Sequence, residues 1–265
     1  MKILCVSDYV DPLIYNQNVK EAYSDIDLIL CAGDLPMDYI DFIVTVFNKP
    51  TYFVFGNHDL TITNQSYFLN NPFTETQAKL DFLKEELSKL ENISILDGTV
   101  EDFEGVKFGG TMAFNDWTWA FKLDPEPEGN IHKFLCNWHY WFDYIHWDYM
   151  SNNHSEILKS EMKKLDNVVS KKPDIIMTHY IPLFFGVEPQ YYYSDATTYF
   201  YFNGEKYLDK LKDNSIWLAG HTHSVRTKDL VQNDGRTIHL KLNPVGYPNE
   251  DSGNALRMDE FLISR

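Results

Sequence analysis

The stretch "TYFVFGNHD" (Thr51–Asp59) decides the fold. Its first half is a short, unbroken apolar run. Such a run is too brief for a core helix and reads as a strand buried on both faces. Its second half stops that strand with a glycine, an amide, an imidazole and a carboxylate. In α/β sheets, ligands gather outside the carboxyl ends of strands. The stretch therefore predicts both an architecture and a place to look for chemistry.

The same pattern recurs along the chain. "KILCVSD" (2–8), "DLILCAGD" (27–34), "KFGGT" (107–111), "DIIMTHY" (174–180), "SIWLAGHTH" (215–223) and "RTIHLKLNP" (236–244) are further short runs of strand character. Between them lie helical patterns. "QAKLDFLKEELSKL" (77–90) spaces Leu80, Leu83, Leu87 and Leu90 along one face of a helix. "SEILKSEMKKLDNVVSKK" (155–172) predicts a helix capped by Ser155 and stopped before Pro173, and "EKYLDKLKDN" (205–214) a shorter one. Strands alternating with helices indicate an α/β class. With no repeat and no linker rich in Gly, Ser or Pro, residues 1–265 are expected to form one domain.

Residues 115–150 depart from this rhythm. A proline- and acid-bearing loop is followed by Trp138, Tyr140, Trp141, Phe142, Tyr144, Trp147 and Tyr149. The segment is expected to be an insertion that packs over a face of the domain, as a lid or stacking platform. It reads equally as a subsidiary core or as a contact between copies of the chain, so a homo-oligomer stays open. "YYYSDATTYFYF" (191–202) is aromatic too, with no chemistry to assign.

Bulk properties narrow the partners. The formal net charge is −16 and hydrophobic residues make up 44% of the chain. That composition supports a sizeable core, and a surface so acidic repels long nucleic acid. A bound cation could still reverse the local field for a small anionic substrate. No run is long enough for a membrane span, and "MKILCVSD" lacks the apolar stretch and cleavage site of a signal peptide. Cys5, Cys31 and Cys136 are scattered and odd in number, which suits a reducing, cytoplasmic setting.

Five of the strands end in metal-capable groups. These are Asp8, then Asp34, then Asn57 with His58 and Asp59, then His179, then His221 with His223. Singly, each reads as a cap, a turn residue or a satisfied histidine. Their recurrence at five strand ends points to a metal site. Oxygen and nitrogen donors without thiolate suit manganese, iron, zinc or nickel at a working site. A carboxylate bridging two such ions gives the clamp used for displacement at phosphorus.

"GD" (Gly33–Asp34), "GNHD" (Gly56–Asp59), "TH" (Thr178–His179) and "GHTH" (Gly220–His223) together resemble the motifs of the calcineurin-like metallophosphoesterase family. "NPVGYP" (243–248) is similar to the strand and turn that follow the last motif in some members. The resemblance implies a four-layer α/β sandwich, two mixed β-sheets flanked by helices. It implies two divalent metal ions. Asp34 would bridge them, Asn57, His179 and His221 would complete one shell, and Asp8 and His223 would hold the other ion. His58 would face a small phosphorylated substrate, mono- or diester, and assist the leaving group after attack by a metal-bridging hydroxide. Asp59 would hold the His58 ring.

One motif departs from the pattern. The family's first motif is Asp-x-His, whereas here it is "SDYVDPL", with Val10 in the histidine's place. Valine cannot ligate, and Asp11 next door is the nearest replacement. A carboxylate or water there favours a harder ion, so manganese or magnesium gains on zinc. The departure also supports an alternative: a scaffold or interaction protein that keeps the fold with impaired catalysis.

Overall fold

The computed structural model describes residues 1–9, 23–35, 37–62, 73–123, 137–148, 150–246 and 257–260. Val10, Asp11, His132 and Cys136 lie outside these residues, so the gap in the first motif has no structural description. Cys5 and Cys31 are buried. Among the described residues, no helix is long and apolar enough to cross a membrane.

Two six-stranded mixed sheets face each other. The first is built on β1 (Lys2–Tyr9), β2 (Leu28–Cys31), β3 (Thr51–Phe53) and β4 (Ile93–Ile95), all parallel neighbours. β11 (Pro244–Gly246) joins β1 in parallel, and β12 (Arg257–Glu260) joins it antiparallel. The second sheet runs β5 (Thr99–Phe103), β6 (Val106–Gly110), β7 (Ile175–Thr178), β8 (Ser215–Ala219), β10 (Thr237–Leu242) and β9 (Arg226–Val231). Its inner pairs, β6 with β7, β7 with β8 and β8 with β10, are parallel, and both edges are antiparallel hairpins.

The apolar runs are continuous because both faces of these strands are covered. Ile3, Cys5, Leu28 and Leu30 alternate inward and meet Phe108, Ile175, Met177, Ile216 and Leu218 of the opposite sheet. Tyr52 stacks on Phe108 across this layer, ring centres 4.9 Å apart. The alternate residues Leu4, Val6, Ile29 and Cys31 belong to the larger core that includes the helices. Those are α1 (Met37–Phe47), α2 (Thr76–Ser88), α3 (Thr118–Leu123), α4 (Phe142–His146) and α5 (Met150–Ser170). The order of layers is thus helix, sheet, sheet, helix.

Some local expectations change. α5 starts earlier than Ser155, which sits inside the helix instead of capping it. Asn153, at φ −125° and ψ 15°, interrupts the regular helix there. Residues 205–210 form a 3₁₀ helix, the tighter form that short segments use, in place of an α-helix. α1, α3, α4, β4, β5, β9 and β12 are additions to the sequence reading.

Candidate metal centre

Parallel strands bring their carboxyl ends to one edge of a sheet, and here the edges of both sheets meet. Main-chain bonds tie the ends sideways: Asp8 N–H to the Gly33 carbonyl at 3.1 Å, and Gly220 N–H to the His179 carbonyl at 3.1 Å. Side chains tie them across the gap. The His221 N–H donates to the Asp8 carboxylate at 3.1 Å, and His179 Nδ1 lies 2.8 Å from the Ala32 carbonyl.

Glycines allow the approach. A Cβ on Gly33 would lie 2.5 Å from the Gly56 nitrogen, and one on Gly56 would lie 2.1 Å from Asp34 Oδ1. Gly33 also has φ +88°, whereas Gly56 serves close packing and not a left-handed turn. Asp8, Asp34 and His221 themselves take positive φ, at 51°, 59° and 63°. Each such backbone costs about 1 kcal/mol or more and persists where the surroundings impose it, most often at functional sites.

Asp34, His179 and His221 are buried, and a ligand atom from each lies within 4.8 Å of the others. The geometry centres on His179 Nε2. It is 2.9 Å from Asn57 Oδ1, 3.0 Å from His221 Nδ1 and 3.3 Å from Asp34 Oδ2. With a proton on Nδ1 facing Ala32, neutral His179 presents only a lone pair to these three atoms. An amide oxygen, a carboxylate oxygen and two imidazole nitrogens then face one another with nothing positive between them. His221 Nε2 is also buried without a hydrogen-bond partner among the described residues.

The titration behaviour reports the same demand for positive charge. Burial opposes a charged His179, yet the adjacent Asp34 carboxylate raises it to about 9. Burial also pushes the Asp34 carboxyl up, but His179 and His58 outweigh it and hold Asp34 well below the usual carboxylate range. Burial and the neighbouring His179 keep His221 neutral far below its ordinary range. A single proton on His179 does here what a cation would do better. The donor set fits a divalent metal of the manganese, iron or zinc kind.

Asp8 and His223 flank this group more loosely. Asp8 is buried, and burial raises its carboxyl to about 6. His223 is half-buried, with Nε2 3.9 Å from Asp8 Oδ1. His58 is half-buried at the start of a short 3₁₀ turn, its backbone N–H bonded to Asp34 Oδ1 at 2.9 Å. Burial lowers its imidazole pKa, with Asp34 acting in the opposite sense.

Asp59 is bound to main chain. Its carboxylate accepts backbone N–H bonds from Asp34 at 2.9 Å, Leu35 at 2.9 Å and Gly56 at 2.7 Å. Both oxygens accept from main chain. The physical reason is local: the turn after β3 folds back on the loop after β2, leaving three buried N–H groups that need an acceptor. Burial raises the Asp59 carboxyl to about 7, while these donors pull the other way.

Sequence reasoning missed Asp143. It is fully buried on α4, within the aromatic segment. Its Oδ1 accepts the Asn57 side-chain N–H at 2.7 Å, and its Oδ2 accepts the Tyr180 hydroxyl at 2.7 Å. This bond fixes which way the Asn57 amide faces, so that Oδ1 is the atom presented to His179. Trp147 adds a second brace, its indole N–H donating to the Asn57 carbonyl at 3.0 Å. No short-range pattern announces either residue; only the density of aromatics drew attention to the segment.

Among solved structures, the chain resembles a single mutant of Vps29 from Entamoeba histolytica at 14% identity, covering 96% of this chain and 81% of that one, with a TM-score of 0.31. Comparison with curated proteins gives no match. The family model described as calcineurin-like phosphoesterase matches residues 1–225. That span contains every motif at the strand ends, and the chain belongs to the calcineurin-like phosphoesterase family.

Proposed function

We propose that the chain hydrolyses phosphate mono- or diesters at this centre, with two divalent ions, manganese foremost. One observation carries the reading: the electron-rich atoms of Asn57, His179, His221 and Asp34 converge with no proton donor sufficient for them all. Bound ions would neutralise phosphoryl oxygens and lower the pKa of an attacking water.

The roles follow the resemblance of the motifs to the family pattern. Asn57, His179 and His221 would hold one ion and Asp8 and His223 the other, with Asp34 serving both. With Val10 in the first motif, the second of these sites has fewer protein ligands and exchanges its ion more readily. His58 meets the phosphoryl group and gives a proton to the leaving oxygen. The bond from phosphorus to that oxygen breaks as the bond to the water oxygen forms. Asp59 acts through the main chain, keeping the loops of Asp34 and His58 together.

The test is His58→Ala with manganese and an aryl phosphate. Its kcat is expected to fall by about two to four powers of ten, with metal content by elemental analysis unchanged. Loss of metal in that variant would make His58 a ligand and overturn the assignment. The second reading, a catalytically impaired scaffold, draws on Val10 alone. Metal-loaded wild-type protein that turns over no aryl mono- or diester would establish it.

A further inference from the structure

The stretch Tyr191–Phe202 takes no part in the chemistry above, yet it forms a wall beside it. A cavity of about 600 Å³ opens next to His221 and His223, lined also by Trp141, Tyr191, Thr197 and Phe200. That volume suits one small organic group. The Phe200 ring lies 4.5 Å from the His221 imidazole and 5.2 Å from the Trp141 indole, nearly edge-on to the latter. Aromatic surface therefore runs without a break from the candidate metal ligands into the cavity.

Two further observations define what could occupy it. The rings of Trp141, Tyr191 and Phe200 line the cavity, so its wall carries aromatic surface. The lining holds the carboxylate of Glu188 and the amide of Gln190, and among the described lining residues there is no lysine or arginine. A second phosphate or carboxylate would find no cationic side chain among these described residues and would meet Glu188 instead. A flat ring would find π faces.

We propose that this cavity binds the organic group of the phosphoester, and that this group is a flat ring bearing no second negative charge. The proposal rests on the phosphoesterase reading and narrows it. Aryl esters and esters whose alcohol carries a neutral heterocycle are the substrate class; nucleoside polyphosphates and sugar bisphosphates are outside it.

The test uses phosphonates, which bind without being hydrolysed. Phenylphosphonate, methylphosphonate and 4-carboxyphenylphosphonate are titrated calorimetrically into manganese-loaded protein. Phenylphosphonate is expected to bind about tenfold more tightly than methylphosphonate, the gain one aromatic contact set supplies. The para-carboxylate is expected to cancel that gain. Tyr191→Ala, at a half-exposed position that can lose its ring without unfolding, should narrow the phenyl-to-methyl ratio to about threefold or less. Glu188→Lys should restore tight binding of the carboxylated probe. Equal affinity for phenyl and methyl probes overturns the ring pocket and leaves the phosphoesterase reading standing. No binding of any phosphonate to the loaded protein overturns both.

Discussion

The Asn57 amide donates to Asp143 over 2.7 Å, joining two residues 86 positions apart in the chain. The consequence is control of a single atom. An amide can present oxygen or nitrogen to a metal, and only oxygen ligates. Asp143→Ala frees that choice and leaves a buried N–H unsatisfied. Manganese affinity is expected to fall by about ten- to a hundredfold, the usual effect of losing a partner that orients a ligand. Metal titration checks this against an unchanged circular dichroism spectrum. Affinity equal to wild type would reduce the bond to packing.

Asp59 gives a prediction of a different kind. Its carboxylate satisfies three buried backbone donors. Asp59→Ala strands them and should cost about 3 kcal/mol or more of unfolding free energy. Urea denaturation of the metal-free protein measures it. His58→Ala, next in sequence but half-buried, should cost well under half as much. Equal costs for the two would contradict the main-chain role.

Gly56→Ala probes the close approach. The added methyl would stand 2.1 Å from Asp34 Oδ1 and 2.6 Å from the Asp34 nitrogen. Overpacking of this sort costs about 1–3 kcal/mol. The larger effect is expected on metal binding, because Asp34 is the group displaced. A variant that binds manganese as wild type does would show that the loops can separate without moving the carboxylate.

Acid sensitivity should come in part from His154, far from the metal motifs in sequence. Its ring packs among Phe114, Trp117 and Trp138, with one nitrogen 2.9 Å from Asn115 Oδ1. Burial depresses its pKa from 6.5 to about 4. Below pH 6.5 the unfolded chain takes up a proton that the folded chain refuses. The stability is therefore whole above that pH and is lost as pH falls towards 4. Between pH 7 and pH 5 the loss is about 2 kcal/mol. His154→Gln, which cannot charge, should flatten the fall in Tm over that interval. Parallel Tm curves for the two proteins would refute the assignment.

Much of the centre was legible because each candidate ligand stops an apolar run, and strand ends are local features. Thr51–Asp59 and Ser215–His223 show strand and ligand in a single glance. The roles were less legible than the residues. Asp59 stands in the motif, but its partners are main-chain groups that no sequence pattern displays. Asp143 and Trp147 reach Asn57 through folding of a distant segment. β5 and β9 escaped notice because they are exposed edge strands, "TVEDF" and "RTKDLV", without the buried apolar signature. α1, "MDYIDFIVTVF", is rich in β-branched residues and resists a helical reading until its neighbours bury it.

The glycines between the strand ends have a consequence for how such a protein can change. Gly33 touches Gly56, and Gly220 lies against the Ala32 carbonyl, so the spacing of the centre is gauged by backbone against backbone. No side chain can be trimmed or enlarged to retune it. The cavity wall from Glu188 to Thr197 and the Trp141 side chain lie outside that gauge. Descendants of this sequence can therefore exchange one organic group for another by rewriting the wall, while the reacting atoms keep their places.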